Sequence, residues 1–219
     1  MTIPQRLHTT IHTICTDIWD AYLGAAAEFV AAHPDIEANI VIDRFHVAKN
    51  YRAGFDTLRK QELRRLRHEL PEETYKEVAH GLHWILRYNH ANLDEVDKVR
   101  LRTLFQHAPR LHQAYSLREE LTAIFNKKMN PLTGQHRLEK WAAKVEHSGL
   151  NCFDTFLKTL RNHLTTIANY FQRRASSGFV EGFNNKLKII TRRSYGLKRV
   201  DSLFRRLWLD VNGYQHFLA

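Results

Sequence analysis

Long apolar runs are absent from this sequence. No stretch approaches the roughly 20 residues that cross a bilayer as a helix, which argues against a membrane protein. The N-terminal MTIPQRLHTTIHTICTD lacks the apolar segment of an export signal. Cysteine is scarce: Cys15 and Cys152 lie far apart, form no CxxC and no disulfide framework, and exclude a zinc site built on cysteine pairs. These absences point to a reducing, cytoplasmic setting. No HExxH occurs among the fourteen histidines. His8 and His12 form one HxxxH, but it runs into a candidate strand, where i, i+4 spacing does not converge on a metal, so no histidine is assigned to zinc. Glycine and proline, nine and five, punctuate periodic segments instead of filling linkers. Neither an internal repeat nor a low-complexity stretch appears.

What is present is basic. The chain of 219 residues is long enough for one sizeable core, or for a core with a large insertion. With 43% hydrophobic and 26% charged residues it should fold. A net charge of +10 and an isoelectric point near 9.7 point to an acidic partner, nucleic acid before all, without selecting a reaction.

The pattern along the chain is mainly helical with two short strands near the front. Ile11–Cys15 is a candidate strand ending at Thr16-Asp17, and the alanine-rich Ile18–Ala32 reads as a helix stopped by His33-Pro34. Ile40–Ile42, after Glu37-Ala38-Asn39, is an apolar, β-branched run and a second, buried strand. A helix follows from Arg44 to about Glu69, its stripe formed by Phe45, Ala48, Tyr51, Phe55, Leu58 and Glu62. Pro71 opens a new segment, and residues 72–170 are helical with breaks near Asn89, Pro109, Asn130-Pro131 and Ser148-Gly149. Leu101, Leu104, Leu111, Tyr115, Leu117 and Leu121 are expected to be buried, as are Trp19, Trp84, Trp141, Phe156 and Phe204. Tyr195-Gly196 reads as a turn, followed by a basic helix over 197–208 with Leu203, Phe204 and Leu207 inward.

Residues 173–206 hold ten Lys/Arg against two acids, Glu181 and Asp201, a net of +8. A lone carboxylate in a basic field suits a metal-dependent enzyme acting on a polyanion: cations hold phosphates, and the carboxylate holds a hard divalent ion. It equally suits a solvated basic helix whose glutamate moderates repulsion. Ser176 or Ser177 can cap this helix. Its spacing puts Glu181, Asn185 and Lys188 on one face and Phe179, Phe183, Leu187 and Ile190 on an apolar stripe. Asp17, after the first strand, reads as a metal ligand at a strand end or as a helix N-cap. Asp43 reads as the N-cap of the helix from Arg44, with His46 structural, or as an accessory ligand paired with His46 at i, i+3.

EGFNNKLKIITRRSYG resembles the segment that carries the third catalytic carboxylate in bacterial insertion-sequence transposases of the L-three family. The segment from Cys15 to Lys60, CTDIWDAYLGAAAEFVAAHPDIEANIVIDRFHVAKNYRAGFDTLRK, is similar to the same family, with its D-R-F-H-V-x-K signature at Asp43–Lys49. Weaker similarity runs through HWILRYNHANLD, LHQAYSLREEL and KWAAKVEHSGL. The resemblance implies a DDE enzyme: a ribonuclease-H-like core, here partial and at 1–70, an all-helical insertion over 71–170, and C-terminal core helices over 171–219. It makes Asp17 the second and Glu181 the third catalytic acid, holding Mg²⁺ or Mn²⁺; Asp43, through its spacing to His46, is the candidate accessory metal ligand. Carboxylates sharing metal ions in this way are expected within about 10 Å of each other. Asn185, Lys186, Lys188, Arg192, Arg193, Lys198 and Arg199 become contacts to double-stranded DNA, at transposon ends and target. A homo-oligomer in the full-length form and a nucleoid association when bound are also implied. The family's first aspartate, zinc-binding module and helix-turn-helix region lie upstream of the matched segment, so the chain is expected to be the C-terminal part of a transposase. The alternatives are a non-catalytic DNA-binding remnant and, on charge alone, a helical RNA-binding or nucleoid-type protein.

Overall fold

The structure, a computed structural model, describes residues 3–194 and 199–216. Two parallel strands, β1 (Thr13–Thr16) and β2 (Asn39–Ile42), pair with Thr16 opposite Ile42, and α1 (Asp20–Ala32) crosses between them. A parallel pair needs such a crossover because a tight hairpin cannot join its ends. β2 starts at Asn39, one residue before the apolar run. β1 starts two residues later than Ile11 and runs through Thr16, because Gln5–Thr10 coil into a 3₁₀ helix that Ile11 terminates.

α2 (Arg44–Glu69) has the expected bounds, but its buried face begins at Val47, not Phe45. Phe45 stands six residues before buried Tyr51; at 3.6 residues per turn that places it about 120° off the core face, and it is exposed. There follow α3 (Glu72–Ala79), α4 (Leu82–Ile85), α5 (Glu95–His107), α6 (Pro109–Asn126), α7 (Pro131–His147), α8 (Asp154–Asn162), α9 (Leu164–Ala168) and α10 (Tyr170–Arg173). The breaks are the expected ones, each with its own chemistry. Pro109 and Pro131 stand at the first helical position, where a missing N–H costs nothing. Asn130 caps α7 by accepting from the Thr133 amide at 2.8 Å. Gly149 takes the left-handed φ of +67° just past α7.

The chain divides into two compact units, one up to Ala175 and one from Ser176 onward. In the first, α2, α6, α7 and α8 pack around an aromatic centre. The Tyr51 ring stacks on Phe153 at 4.3 Å and meets Trp141 and Phe156 edge-on at 5.6 and 5.5 Å. The Tyr51 hydroxyl donates to the Ala114 carbonyl and the Trp141 indole to the Leu117 carbonyl, both at 2.8 Å, so two helices are pinned to α6. Close approach is permitted by two glycines. A Cβ on Gly54 would meet the Cys152 carbonyl oxygen at 2.3 Å, and one on Gly134 would meet the Phe171 ring at 2.1 Å. The end of this unit folds back on the strands: Asn169 Nδ2 donates to the Ile40 carbonyl at 2.9 Å, and Asn39 Nδ2 to Gln172 at 2.8 Å.

The second unit pairs α11 (Gly178–Arg193) with α12 (Val200–His216). Tyr195-Gly196 lies outside the described residues. Among the bulky residues expected in the core, Trp141 and Phe156 are buried, whereas Trp19, Trp84 and Phe204 are exposed. Trp84 sits on a helix of only four residues, beneath the Arg87 guanidinium at 5.4 Å, and Trp19 precedes α1 and packs edge-on against Tyr22 at 4.4 Å. Such short or terminal positions have no full helical face to bury. Among the described residues no helix is long and apolar enough to cross a membrane.

Gly134→Ala is expected to destabilise by about 1–3 kcal/mol through overpacking against Phe171. Tyr51→Phe, which loses one buried hydrogen bond, should cost about 1 kcal/mol. Urea denaturation with an unchanged m-value reads both. An unmoved midpoint for Gly134→Ala would mean that the Phe171 ring yields without penalty.

Candidate active site

The two strands deliver two aspartates to adjacent ends. β1 stops at Thr16 and β2 at Ile42, the last paired register positions, so Asp17 and Asp43 follow side by side at the C-terminal edge, where α/β sheets carry their ligands. The Asp43 amide continues the ladder by donating to the Thr16 carbonyl at 3.1 Å.

Their environments differ. Asp43 is 2% exposed and caps α2: its Oδ1 accepts from the Phe45 amide at 2.8 Å. Asp17 is not a helix cap. α1 begins three residues later, with Trp19 at the cap position and no side-chain bond there. The Asp17 carboxylate, about half exposed, instead takes the His46 Nε2 at 2.7 Å. The i, i+3 spacing left His46 either structural or paired with Asp43; its Nε2 reaches across to the other strand end. Behind the pair, burial pushes the Cys15 thiol up to about 11, and the negative charges of Asp43 and then Asp17 add to the shift. That thiol is therefore neutral and unreactive at neutral pH.

The donor chemistry at Asp17, an exposed carboxylate oxygen, fits a hard divalent cation. The donor count within one unit falls short. One oxygen of each aspartate is already engaged, and among the described residues neither unit gathers three His, Cys, Asp or Glu side chains around one point.

Glu181 stands on the first turn of α11, exposed, and accepts from the Ser177 hydroxyl at 3.1 Å. Ser177 occupies the cap position without a side-chain bond to the helix backbone, so the serine turns to the glutamate instead. Asn185 and Lys188 are exposed with it, as the spacing predicts. The apolar stripe is only partly buried: Ile190 is covered, Phe183 and Leu187 are half-buried, and Phe179 is 82% exposed. Phe179 stands on the first turn, where no further turn of the helix precedes it.

The basic residues separate into two sets. Lys188, Arg192, Arg193 and Arg199 are exposed. Lys186 is half-buried and bound to Asp210 at 2.8 Å, and this hydrogen bond holds the Asp210 carboxyl below its usual range. Arg174 adopts a left-handed φ of 53° and clamps the Phe125 and Asn126 carbonyls at 3.1 Å each, a structural role. Lys198 lies outside the described residues. The Asp17–His46 and Lys186–Asp210 pairs escape a reading by local spacing, since one crosses two strands and the other joins two helices.

A family model for DDE transposases of the ISL3 type, described as "Transposase", matches residues 2–207. The transposase of insertion sequence element IS1001 from Bordetella parapertussis is 30% identical over 206 residues, covering 94% of this chain and 48% of that protein. The transposase of insertion sequence element IS1557 from Mycobacterium tuberculosis is 24% identical over 135 residues, 62% of this chain and 30% of the relative. The chain thus spans about half the length, or less, of these curated relatives. No solved structure matches it. A match over nearly all of its length shows that the chain belongs to the ISL3-type family of DDE transposases.

Proposed function

We propose that this chain is a catalytic region of an insertion-sequence transposase, cutting and joining double-stranded DNA at transposon ends and target. The reading is carried by the exposed Asp17 carboxylate at the C-terminal edge of a parallel strand pair, in a member of a DDE family. In it, β1, α1 and β2 belong to a ribonuclease-H-like core, and Asp17 and Glu181 are two of the carboxylates that hold Mg²⁺ or Mn²⁺. When bound, such ions stabilise charge on the attacking and leaving oxygens of the phosphodiester. His46 is assigned to orienting Asp17, as outer-shell partners orient ligating carboxylates. Asp43, buried at the cap of α2, is assigned as an accessory ligand. Lys188, Arg192, Arg193 and Arg199, with Asn185, supply contacts to the DNA backbone, and the full-length form acts as a homo-oligomer.

The short donor count within each unit favours a second reading, a DNA-binding region without chemistry of its own. Nicking of a duplex bearing element ends separates the two. Under the catalytic reading, Asp17→Asn and Glu181→Gln each lower the rate by about 10²–10³-fold, the size of losing one charge-stabilising group. Asp43→Asn, which keeps a competent cap, stays within a few-fold and retains its stability. In a protein of the relatives' full length, duplex binding without nicking would establish the second reading.

Binding should fall steeply with salt, because each backbone contact releases a counterion. Lys188→Ala and Arg193→Ala are each expected to reduce the log–log salt slope by about 1, equally for all DNA sequences. An unchanged slope would remove α11 from the DNA interface.

A further inference from the structure

The first unit contains a second concentration of positive charge, which begins at Arg44 on the first turn of α2. A cavity of about 70 Å³ between α2, α6 and the segment after α4 is lined by Arg44, Arg52, Arg87, Arg118, Asn89 and Thr122 among others, with no acid in its wall. At roughly 15 Å³ per water-sized group, it takes a handful of oxygen-sized atoms, the bulk of one tetrahedral oxyanion. A larger neighbouring cleft of about 440 Å³ shares Arg52, Arg87 and Arg118, so the cavity opens beside further space. The acid in that cleft, Asp56, is already held by Arg59 at 2.9 Å.

Compensation is thin. Of the four arginines only Arg118 is ion-paired among the described residues, to Glu119 at 2.6 Å. Arg44 leans on the Tyr170 hydroxyl at 3.3 Å, and Arg87 lies over Trp84. Arg118 is the buried post of the group, 8% exposed. Its two terminal nitrogens hold the Leu86 and Tyr88 carbonyls, and its Nε is buried without a partner. A buried cationic N–H left unsatisfied is costly. Partial desolvation, and then the like charges of Arg118 and Arg87, push the Arg52 guanidinium below its usual range. Guanidinium groups that outnumber their carboxylate partners, here four to one, are relieved by an anion that accepts from several forks at once, and phosphate is the group whose geometry suits them.

We infer that this arginine cavity binds one phosphate group, and that in the nucleoprotein complex the group is a backbone phosphate of the DNA duplex. The second half rests on the DNA-acting reading above; the first half does not. The site would place a contact on the helical part of the first unit, in addition to the exposed cations of α11.

Arg52→Gln/Arg87→Gln removes two unanchored cations and leaves Arg118 in place. Its far-UV circular dichroism and its melting midpoint in chloride should match the unmodified chain. Inorganic phosphate at constant ionic strength should raise the midpoint of the unmodified chain by mass action. The same rise should appear in Lys188→Ala/Arg192→Ala/Arg193→Ala and be lost in Arg52→Gln/Arg87→Gln. No rise beyond that of chloride, or a rise that survives in Arg52→Gln/Arg87→Gln, overturns the site. Duplex affinity of the same double variant should fall roughly tenfold, with a salt slope smaller by about 1. A phosphate effect that depends on the two arginines, with unchanged duplex affinity and slope, assigns the cavity to a free phosphate compound and overturns the DNA half. If the unmodified chain binds no duplex while the arginine-dependent phosphate effect is present, the transposase reading fails and the phosphate site stands.

Discussion

The hydroxyl of Tyr51 is buried in an aromatic centre, and a buried hydroxyl has to find an acceptor. It finds the Ala114 carbonyl on α6. That bond, with the ring stacked on Phe153, leaves α2 one rotation about its own axis. The helix is 26 residues long, so an orientation set at its middle is transmitted to its first turn. His46 lies five residues before Tyr51, about 140° around the helix, and is thereby turned from the core toward the strand ends. The Asp43 cap fixes the same turn from outside. The meeting of His46 with Asp17 is a consequence of packing at Tyr51 as much as of the strands.

The second theme is the division of cations between structure and surface. A basic composition invites every Lys and Arg to be counted as a nucleic-acid contact. Several are consumed internally. Arg174 clamps two carbonyls at the end of α6, Lys186 is bound to Asp210, and Arg118 supports the backbone around Leu86 and Tyr88. Two groups of cations without an ion pair among the described residues bear on function: the exposed Lys188, Arg192 and Arg193 of α11, and Arg44, Arg52 and Arg87 beside α2. Their chemistry is the same, but one is an open helix face and the other a cavity of fixed size.

Much of the architecture is legible in the residues alone. Arg44–Glu69 has the bounds that helical spacing assigns, the β-branched run Ile40–Ile42 lies within β2, and Pro109, Pro131, Asn130 and Gly149 end or begin helices for local reasons that no distant contact overrides. Local readings err where a face is decided by too few residues. Phe45 and Phe179 lie on first turns, Trp84 on a helix of one turn, and Trp19 outside any helix, so the periodicity that predicts burial has nothing to average over.

The sequence by itself therefore determined the helical class, the two strands and the cap at Asp43. Local spacing and capping rules act within four or so residues, and those features need no more. Only the tertiary structure decided that His46 meets Asp17, that Lys186 is bound to Asp210, and that Arg44, Arg52, Arg87 and Arg118 share one cavity. Each of these joins residues from different elements. Parallel register, helix rotation and interhelical packing place them, and none of those is written in the spacing along one segment.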